Sequence, residues 1–339
     1  MTALTQADAL RLPLADDSVD LVVTSPPYFA LRSYRDGDEH YDGQIGSEST
    51  PQEFLEALWA ATVEMVRVVK PSGSIFVNLG DKYAGSNGQA GGPSQLNGAT
   101  YSPDGTRTKA AKKGGYVPKT SVRTKSLMGL PWRYAIGCID DLGLILRSEM
   151  IWSKPNGLPE SVTDRVRRSH EQWFHFTLEP RYFSAIDEIR ETYAPASIGK
   201  SPGANAMKGR AQMPDRMDEA GYTPGWDTNP LGKLPGSVWS IPSEPLQVPD
   251  HLGVDHFAAF PQEWPRRLIL GWSPPDGVVL DPFVGTGTVP MVARALGRTG
   301  IGVDLSADYL RLANWRVFHS GHATKTMRRT NTERQGTLL

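Results

Sequence analysis

The amino-acid sequence predicts an α/β protein built on a largely parallel, buried sheet. Three stretches carry that expectation. Residues 278–304 (VVLDPFVGTGTVPMVARALGRTGIGVD) read as strand, glycine-rich turn, helix and strand. Residues 19–24 (VDLVVT) form a short β-branched apolar run, the pattern of a strand covered on both faces. Residues 50–79 combine an amphipathic helix with a second apolar strand, SIFVNL.

Taken in order, strand 19–24 runs directly into Ser25-Pro26-Pro27-Tyr28, where two prolines force the chain out of the sheet. The helix at 50–69 has Thr50 as its cap, Pro51 in its first turn and Glu53 to complete a capping box. Phe54, Leu58, Thr62, Met65 and Val69 give it one apolar stripe. Lys70-Pro71-Ser72-Gly73 ends it, and a strand follows at 74–79. Residues 84–126 lose all apolar period and read as a long cationic loop. A helix is expected at 130–142, a strand at 145–152 and a strand-like piece at 172–177, after the basic stretch 163–170. Residues 191–250 are again rich in Gly and Pro. The end returns to α/β order, with strand 278–281, helix 288–296 stopped by Gly297, strand 300–304, and helix 307–319 capped by Ser306. The tail 321–339 is polar.

Composition limits what this fold can do. The 339 residues hold 36 Lys plus Arg against 37 Asp plus Glu, a net charge of −1. A protein coated with positive charge is excluded, so any nucleic-acid contact must come from a local basic patch. With 39% hydrophobic residues, the 34 glycines and 27 prolines indicate many loops around a real core. One cysteine excludes a disulfide framework and a four-cysteine zinc site. No apolar run approaches the ~18 residues of a membrane span, and residues 1–17 lack the apolar centre of a signal peptide. A soluble, cytoplasmic protein without membrane contact or resident metal is expected.

Two places carry chemistry. In Asp281-Pro282-Phe283-Val284-Gly285-Thr286-Gly287-Thr288, the glycines let backbone approach a ligand at the carboxyl edge of the sheet. Asp304, ending the next strand, is positioned to accept hydrogen bonds from ribose hydroxyls. The same turn would also serve as a plain strand-to-helix connection. The spacing to Asp304 suits a dinucleotide too, but the third glycine of that fingerprint is missing. The second place is Thr24-Ser25-Pro26-Pro27-Tyr28. Its plain reading is a Pro-rich turn. Its functional reading is a rigid acceptor site, in which the Ser25 hydroxyl and Pro26 carbonyl receive the two hydrogens of an amino group while Tyr28 stacks on a planar base.

Together these residues resemble the DNA amino-methyltransferase family, whose members methylate cytosine N4 or adenine N6 with S-adenosylmethionine. TSPPY at 24–28 resembles its catalytic motif and DPFVGTGT at 281–288 its cofactor loop. Asp255-His256-Phe257-Ala258-Ala259-Phe260-Pro261 resembles the segment that closes over the methionine moiety. Trp152, Lys154-Pro155-Asn156 and His170-Glu171 resemble a central block of the cytosine-N4 branch. The resemblance implies a Rossmann-like S-adenosylmethionine-dependent methyltransferase fold, circularly permuted in the β arrangement, because the catalytic motif precedes the cofactor motif. It implies that the strand ending at Asp304 neighbours the first residues of the chain, and that Asp8, otherwise a solvated turn acid, meets the cofactor adenine. The implied cofactor contacts are Asp8, Thr24, Phe257, Pro261, Asp281, Phe283, Gly285, Gly287, Thr288 and Asp304; the catalytic residues are Ser25, Pro26, Pro27 and Tyr28.

The implied reaction is direct methyl transfer to the amino group of a flipped base. Ser at the first motif position, where related enzymes carry Asp or Asn, points to cytosine N4, with adenine N6 as the alternative. Cytosine-C5 chemistry needs a thiolate, and the lone Cys138 lies in an apolar segment. Residues 1–184 would form the catalytic part, 185–250 the target-recognition region, 251–320 the cofactor part and 321–339 a flexible tail. Double-stranded DNA is the expected partner, with a cognate restriction endonuclease; monomer and dimer both remain open. Phosphate contacts are expected from Arg107, Lys109, Lys112, Lys113, Lys119, Arg123 and Lys125, and from Arg165, Arg167 and Arg168. A solvated loop and surface salt bridges are the plainer readings of those two groups. Arg210, Arg216 and Trp226 are candidate readers of sequence. RNA or protein-amide methylation, and DNA binding without chemistry, are the competing functions.

Overall fold

A computed structural model of the chain describes residues 2–30, 35–36, 39–40, 44–85, 122–157, 159–193, 229–246, 248–252, 254 and 259–319. The strands are β1 (Thr2–Gln6), β2 (Val19–Thr24), a small antiparallel pair β3 (Arg35–Asp36) and β4 (Glu39–His40), β5 (Val69–Leu79), β6 (Ile145–Ser153), β7 (His170–Thr177), β8 (Val238–Ser240), β9 (Val278–Asp281) and β10 (Thr299–Asp304). The helices are α1 (Pro51–Val68), α2 (Leu130–Asp140), α3 (Glu263–Trp272), α4 (Thr288–Ala295) and α5 (Ala307–Phe318). Eight strands form one sheet in the order β1-β10-β9-β2-β5-β7-β6-β8.

The central strands carry continuous apolar runs because both faces are covered there. Val22, Ile75 and Val77 point toward α1 and α2, with Phe54, Leu58, Met65 and Tyr134. Leu21, Val23 and Phe76 point the other way, toward Trp264, Leu268, Val289 and Met291 of α3 and α4. Alternate residues of one strand thus enter different cores, which is why the sequence shows runs and not alternation. α1 begins as expected. Thr50 accepts from the Glu53 amide, and the Glu53 carboxylate accepts from the Thr50 amide.

The permuted order is present in the sheet. β1 pairs in parallel with β10, with Gln6 opposite Asp304. β2 lies between β9 and β5, so the strands carrying the two motifs are neighbours. Seven strands of the sheet end at one edge. Only β7 runs antiparallel to its neighbours, β5 and β6, so its first residues, His170 and Glu171, lie where the others finish.

Several boundaries differ from expectation. β5 begins at Val69, five residues early, and Lys70–Gly73 is absorbed as a shift in register against β2. β1 is not legible in the sequence because TALTQ is half-exposed and polar; β8 is not because only Trp239 of its three residues is buried. α3 has a proline in its first turn and no apolar stripe ahead of it. The expected recognition region, 185–250, is divided. Trp239 pairs with Trp152 across β8 and β6, and the Trp152 indole donates to the Ile241 carbonyl at 2.7 Å. The turn at Ile186–Ile189 is tied to α3 through the Ala185 amide and the Gly271 carbonyl. These pieces belong to the core fold, and residues 194–228, with Arg210, Arg216 and Trp226, lie outside the described residues, as does the tail 320–339.

Trp264 fastens the antiparallel half of the sheet to α3. Its ring stacks on Trp239 at 4.6 Å and Trp173 at 4.9 Å and meets Trp152 edge-on at 6.3 Å. Trp264→Ala is expected to cost about 3–5 kcal/mol in urea denaturation, as removal of a large buried aromatic does; a loss under about 1 kcal/mol would show that this contact is not what joins the layers.

Candidate active site

The site forms where β2 and β9 end. The Thr24 hydroxyl, buried, donates to the Asp281 carboxylate at 2.7 Å, and the Phe283 amide donates to the same oxygen at 3.1 Å. One buried acid therefore ties the Ser-Pro-Pro-Tyr turn to the glycine turn. Beyond Asp281 the chain turns through Gly285, whose amide donates to Asp304 at 2.9 Å. The other Asp304 oxygen accepts from the Ser306 amide, the start of α5. Phe283 and Gly285 remain partly open, while Pro282 and Val284 are buried. Asp8 is exposed two residues past Gln6, beside Asp304 at the same edge, with its carboxylate closing a turn onto the Leu10 amide.

Two of the expected cofactor residues serve the turn itself. Gly287 has a left-handed φ of 78° and faces α5, where a Cβ would come within 2.9 Å of the Ala313 Cβ. Its bareness lets α5 pack closely against the turn. The Thr288 hydroxyl, with that of Thr286, is held by the Arg316 guanidinium at 2.6 and 2.7 Å. Burial pushes Arg316 down to about 10, with Glu244 opposing the fall. The sequence signal for Arg316 is an arginine standing between Ala313 and Val317 on the apolar side of α5. Pro261 is buried just ahead of α3, its carbonyl accepting from the Trp264 amide. Phe257 lies outside the described residues.

In the catalytic turn, Pro26 is buried and Ser25, Pro27 and Tyr28 are partly exposed. Ser25 donates to the Asn78 side-chain oxygen at 3.3 Å, and Tyr28 donates to that oxygen at 2.9 Å. Asn78 is oriented by donating its own amide to the Gln172 carbonyl at 3.0 Å. The Tyr28 hydroxyl also lies 2.9 Å from Glu171, whose other oxygen receives the Lys154 ammonium. Asn78 escapes the sequence reading; its signal is one amide at the end of the apolar run SIFVNL. Cys138 is fully buried on α2 and its thiol is pushed up to about 12, so no thiolate is on hand.

Around the site, Asp81 caps α2 by accepting from the Gly129 and Leu130 amides. Ala84 bonds to Ser126 and Lys125 through the backbone, so both ends of the 86–121 insertion leave from one neck beside the site. The insertion, with Arg107, Lys109, Lys112, Lys113 and Lys119, is outside the described residues. Arg123 is exposed, and Lys125 pairs with Asp164 at 2.7 Å on the surface. Arg165 pairs with Glu160 and lies 4.0 Å over the Tyr83 ring, Arg168 donates to the Asp81 carbonyl, and Arg167 to that of Gly157. Arg165 and Arg168 thus tie their segment to residues 81–83, and Arg167 ties it to the turn at Gly157; each guanidinium has five donors in all.

Asp281 gives the site a pH signature. Burial pushes its carboxyl up to about 7, with Asp304 adding to the rise and the Thr24 and Phe283 bonds opposing it. A carboxyl raised in the folded state contributes stability that is complete below its ordinary value of 3.8 and lost as pH climbs through about 7. Wild type is therefore expected to lose stability relative to Asp281→Asn as pH rises across that window. Parallel curves in pH-dependent denaturation would rule out the shift.

The sequence matches the family profile described as DNA methylase over residues 19–314. It is 35% identical over 318 residues to the type II methyltransferase M.XycI of Xanthomonas campestris pv. cyanopsidis, covering 92% of this chain and 86% of that one. It is 32% identical over 306 residues to the type II methyltransferase M.SmaI of Serratia marcescens, covering 90% and 86%. Among solved structures, the PvuII DNA methyltransferase, cytosine-N4-specific, superposes with a TM-score of 0.61 at 17% identity, covering 98% of this chain and 93% of that one. A Thermus thermophilus protein in complex with S-adenosyl-L-methionine gives 0.53 at 22% identity, covering 94% and 96%. At such identities these two speak for the fold, a Rossmann-like methyltransferase sheet. A glycine turn held on a buried acid, a Ser-Pro-Pro-Tyr turn beside it, and a match across most of the sequence lead to one conclusion: the chain belongs to the N6/N4 DNA methylase family and is a DNA amino-methyltransferase.

Proposed function

We propose that this enzyme transfers the methyl group of S-adenosylmethionine to N4 of a cytosine flipped out of double-stranded DNA. The observation that carries the reading is the Ser25–Asn78 bond. Ser25 commits its only proton to Asn78, which leaves its oxygen lone pairs for the hydrogens of an amino group. An exocyclic amino nitrogen is a poor nucleophile because its lone pair is delocalised into the ring. Ser25 and the Pro26 carbonyl, accepting both hydrogens, favour the tetrahedral nitrogen whose lone pair can attack. The choice of cytosine rests on Ser25 itself, in the place where Asp or Asn marks other branches.

The residues at the edge of the sheet fit the cofactor. Asp304 is oriented by two amides at the end of β10, and its carboxylate is the acceptor that would meet ribose hydroxyls there. Phe283 and Gly285 offer an open apolar and backbone surface next to it, and Asp8 stands at the neighbouring strand end. When bound, S-adenosylmethionine supplies a methyl group on a positively charged sulfur, so no covalent enzyme intermediate is required. The chain's task is then to hold the base in line and accept its hydrogens. Tyr28 provides the flat surface for the flipped base.

The insertion leaving the neck at 84–126 starts beside this site, and its cationic residues are proposed to hold DNA phosphates, with affinity falling steeply as salt rises. Residues 194–228 are proposed as the recognition segment. The type II relatives support a cognate restriction endonuclease as partner in the same cell, and a cytoplasmic location; among the described residues no helix is long and apolar enough to cross a membrane.

The deciding experiment is methylation of DNA with labelled cofactor, digestion to nucleosides and mass identification. N4-methylcytosine is expected. N6-methyladenine would overturn the choice of base, and an unlabelled product the whole reading. Ser25→Ala and Tyr28→Ala are expected to lower turnover by about 100-fold or more with cofactor affinity retained in calorimetry. Asp304→Ala is expected to weaken cofactor binding roughly 10- to 100-fold, the worth of charge-assisted hydrogen bonds; unchanged affinity would remove Asp304 from the site.

A further inference from the structure

Tyr28 is held more tightly than a stacking surface needs. Its ring edge lies against the Gly80 backbone, where a Cβ would come within 2.7 Å of the tyrosine Cε2. Its hydroxyl has one proton, yet it meets two acceptors, Asn78 and Glu171, each at 2.9 Å. Asn78 cannot rotate to relieve this, because its amide nitrogen is committed to the Gln172 carbonyl. Glu171 is in turn paired with Lys154, and the Lys154 ammonium lies 4.0 Å over the Trp152 ring. Trp152 stands directly opposite Glu171 in the β6–β7 ladder, and Lys154 follows the end of β6, its amide held by the Ser169 carbonyl.

An ion pair with side chains only 22% and 17% exposed gives up much of its hydration. The β6–β7 ladder is already complete without it, with eight residue pairs and one shift in register between Leu146 and Ser148. The pair's direct effect is on Tyr28. The reversed strand β7 starts at the edge where β2 and β5 end, and this alone brings Glu171 to the tyrosine hydroxyl.

We propose that Glu171 and Lys154 are positioning residues for base methylation, with Lys154 holding the Glu171 carboxylate and Glu171 fixing the plane of the Tyr28 ring against the flipped base. The proposal rests on the amino-methyltransferase reading of the same pocket. Neither residue touches the reacting atoms; both act through Tyr28. A ring free to tilt would still admit DNA and cofactor but would present the amino group out of line.

A double-mutant cycle on the full chain tests this. Glu171→Met and Lys154→Met are each expected to lower kcat roughly 10- to 100-fold, the effect of a misplacement near 1 Å, with KM for DNA and calorimetric cofactor affinity unchanged. Glu171→Gln keeps an acceptor for the tyrosine and loses the charge that holds Lys154, so its kcat should fall between wild type and Glu171→Met. It also serves where Glu171→Met does not fold. In a Tyr28→Phe background, neither Glu171 substitution should lower kcat further. Losses that multiply with Tyr28→Phe would overturn the proposal, as would a loss confined to KM for DNA or to cofactor affinity. Wild-type protein that methylates no DNA would overturn the amino-methyltransferase reading together with the proposal; multiplying losses in an active enzyme would overturn the positioning role alone.

Discussion

Everything in this site depends on one buried hydrogen bond, from the Thr24 hydroxyl to Asp281. The two residues are 257 positions apart in sequence, and they meet because β2 lies beside β9. Neither turn is positioned by its own sequence. The Pro-Pro turn is rigid but has no direction until Thr24 is held, and the glycine turn is shaped only once Asp281 receives the Phe283 amide and Asp304 that of Gly285. The strand order thus converts two local turns into one crevice. An acid placed so deeply is costly when charged, and its raised pKa is the price of tying the halves together.

What could be read from the sequence follows from how local each feature is. The capping box of α1, the apolar strands β2 and β9 and the strand–turn–helix around Gly285 are specified by neighbours a few residues apart, and each is legible. So is the adjacency of the first residues to Asp304, because the order of the two motifs, set against the family arrangement they resemble, implies it. β1 and β8 are not legible, since each is a short strand whose burial comes from a distant partner, β10 or β6. The absorbed bulge at Lys70–Gly73 reads locally as a helix stop and becomes part of a strand only against β2.

The site is legible to the same extent. Ser25, Tyr28, Asp281 and Asp304 stand in motifs. Asn78 and Arg316 do not announce themselves, because a single polar residue in an apolar run looks like noise until its partner is known; Glu171 stands in a recognisable block, but its contact with Tyr28 is visible only in the sheet. Gly287 shows a further limit: a glycine in such a turn reads as room for a ligand, and the sequence does not show that α5 also occupies the space its side chain would need. A legible residue type can therefore serve a neighbour that only the fold reveals.

The pairing of β1 with β10 has a consequence for how the chain comes to be folded. Gln6 bonds to the Leu305 carbonyl across 299 residues, so β1 leaves the ribosome long before β10, the neighbour it needs to join the sheet. β2 likewise lacks its β9 side until late. Contacts of such sequence separation fold slowly, and the unpaired strand edges are exposed in the meantime. The half-exposed, polar face of TALTQ is suited to that wait: a strand that must stand alone during synthesis is safer wet than sticky.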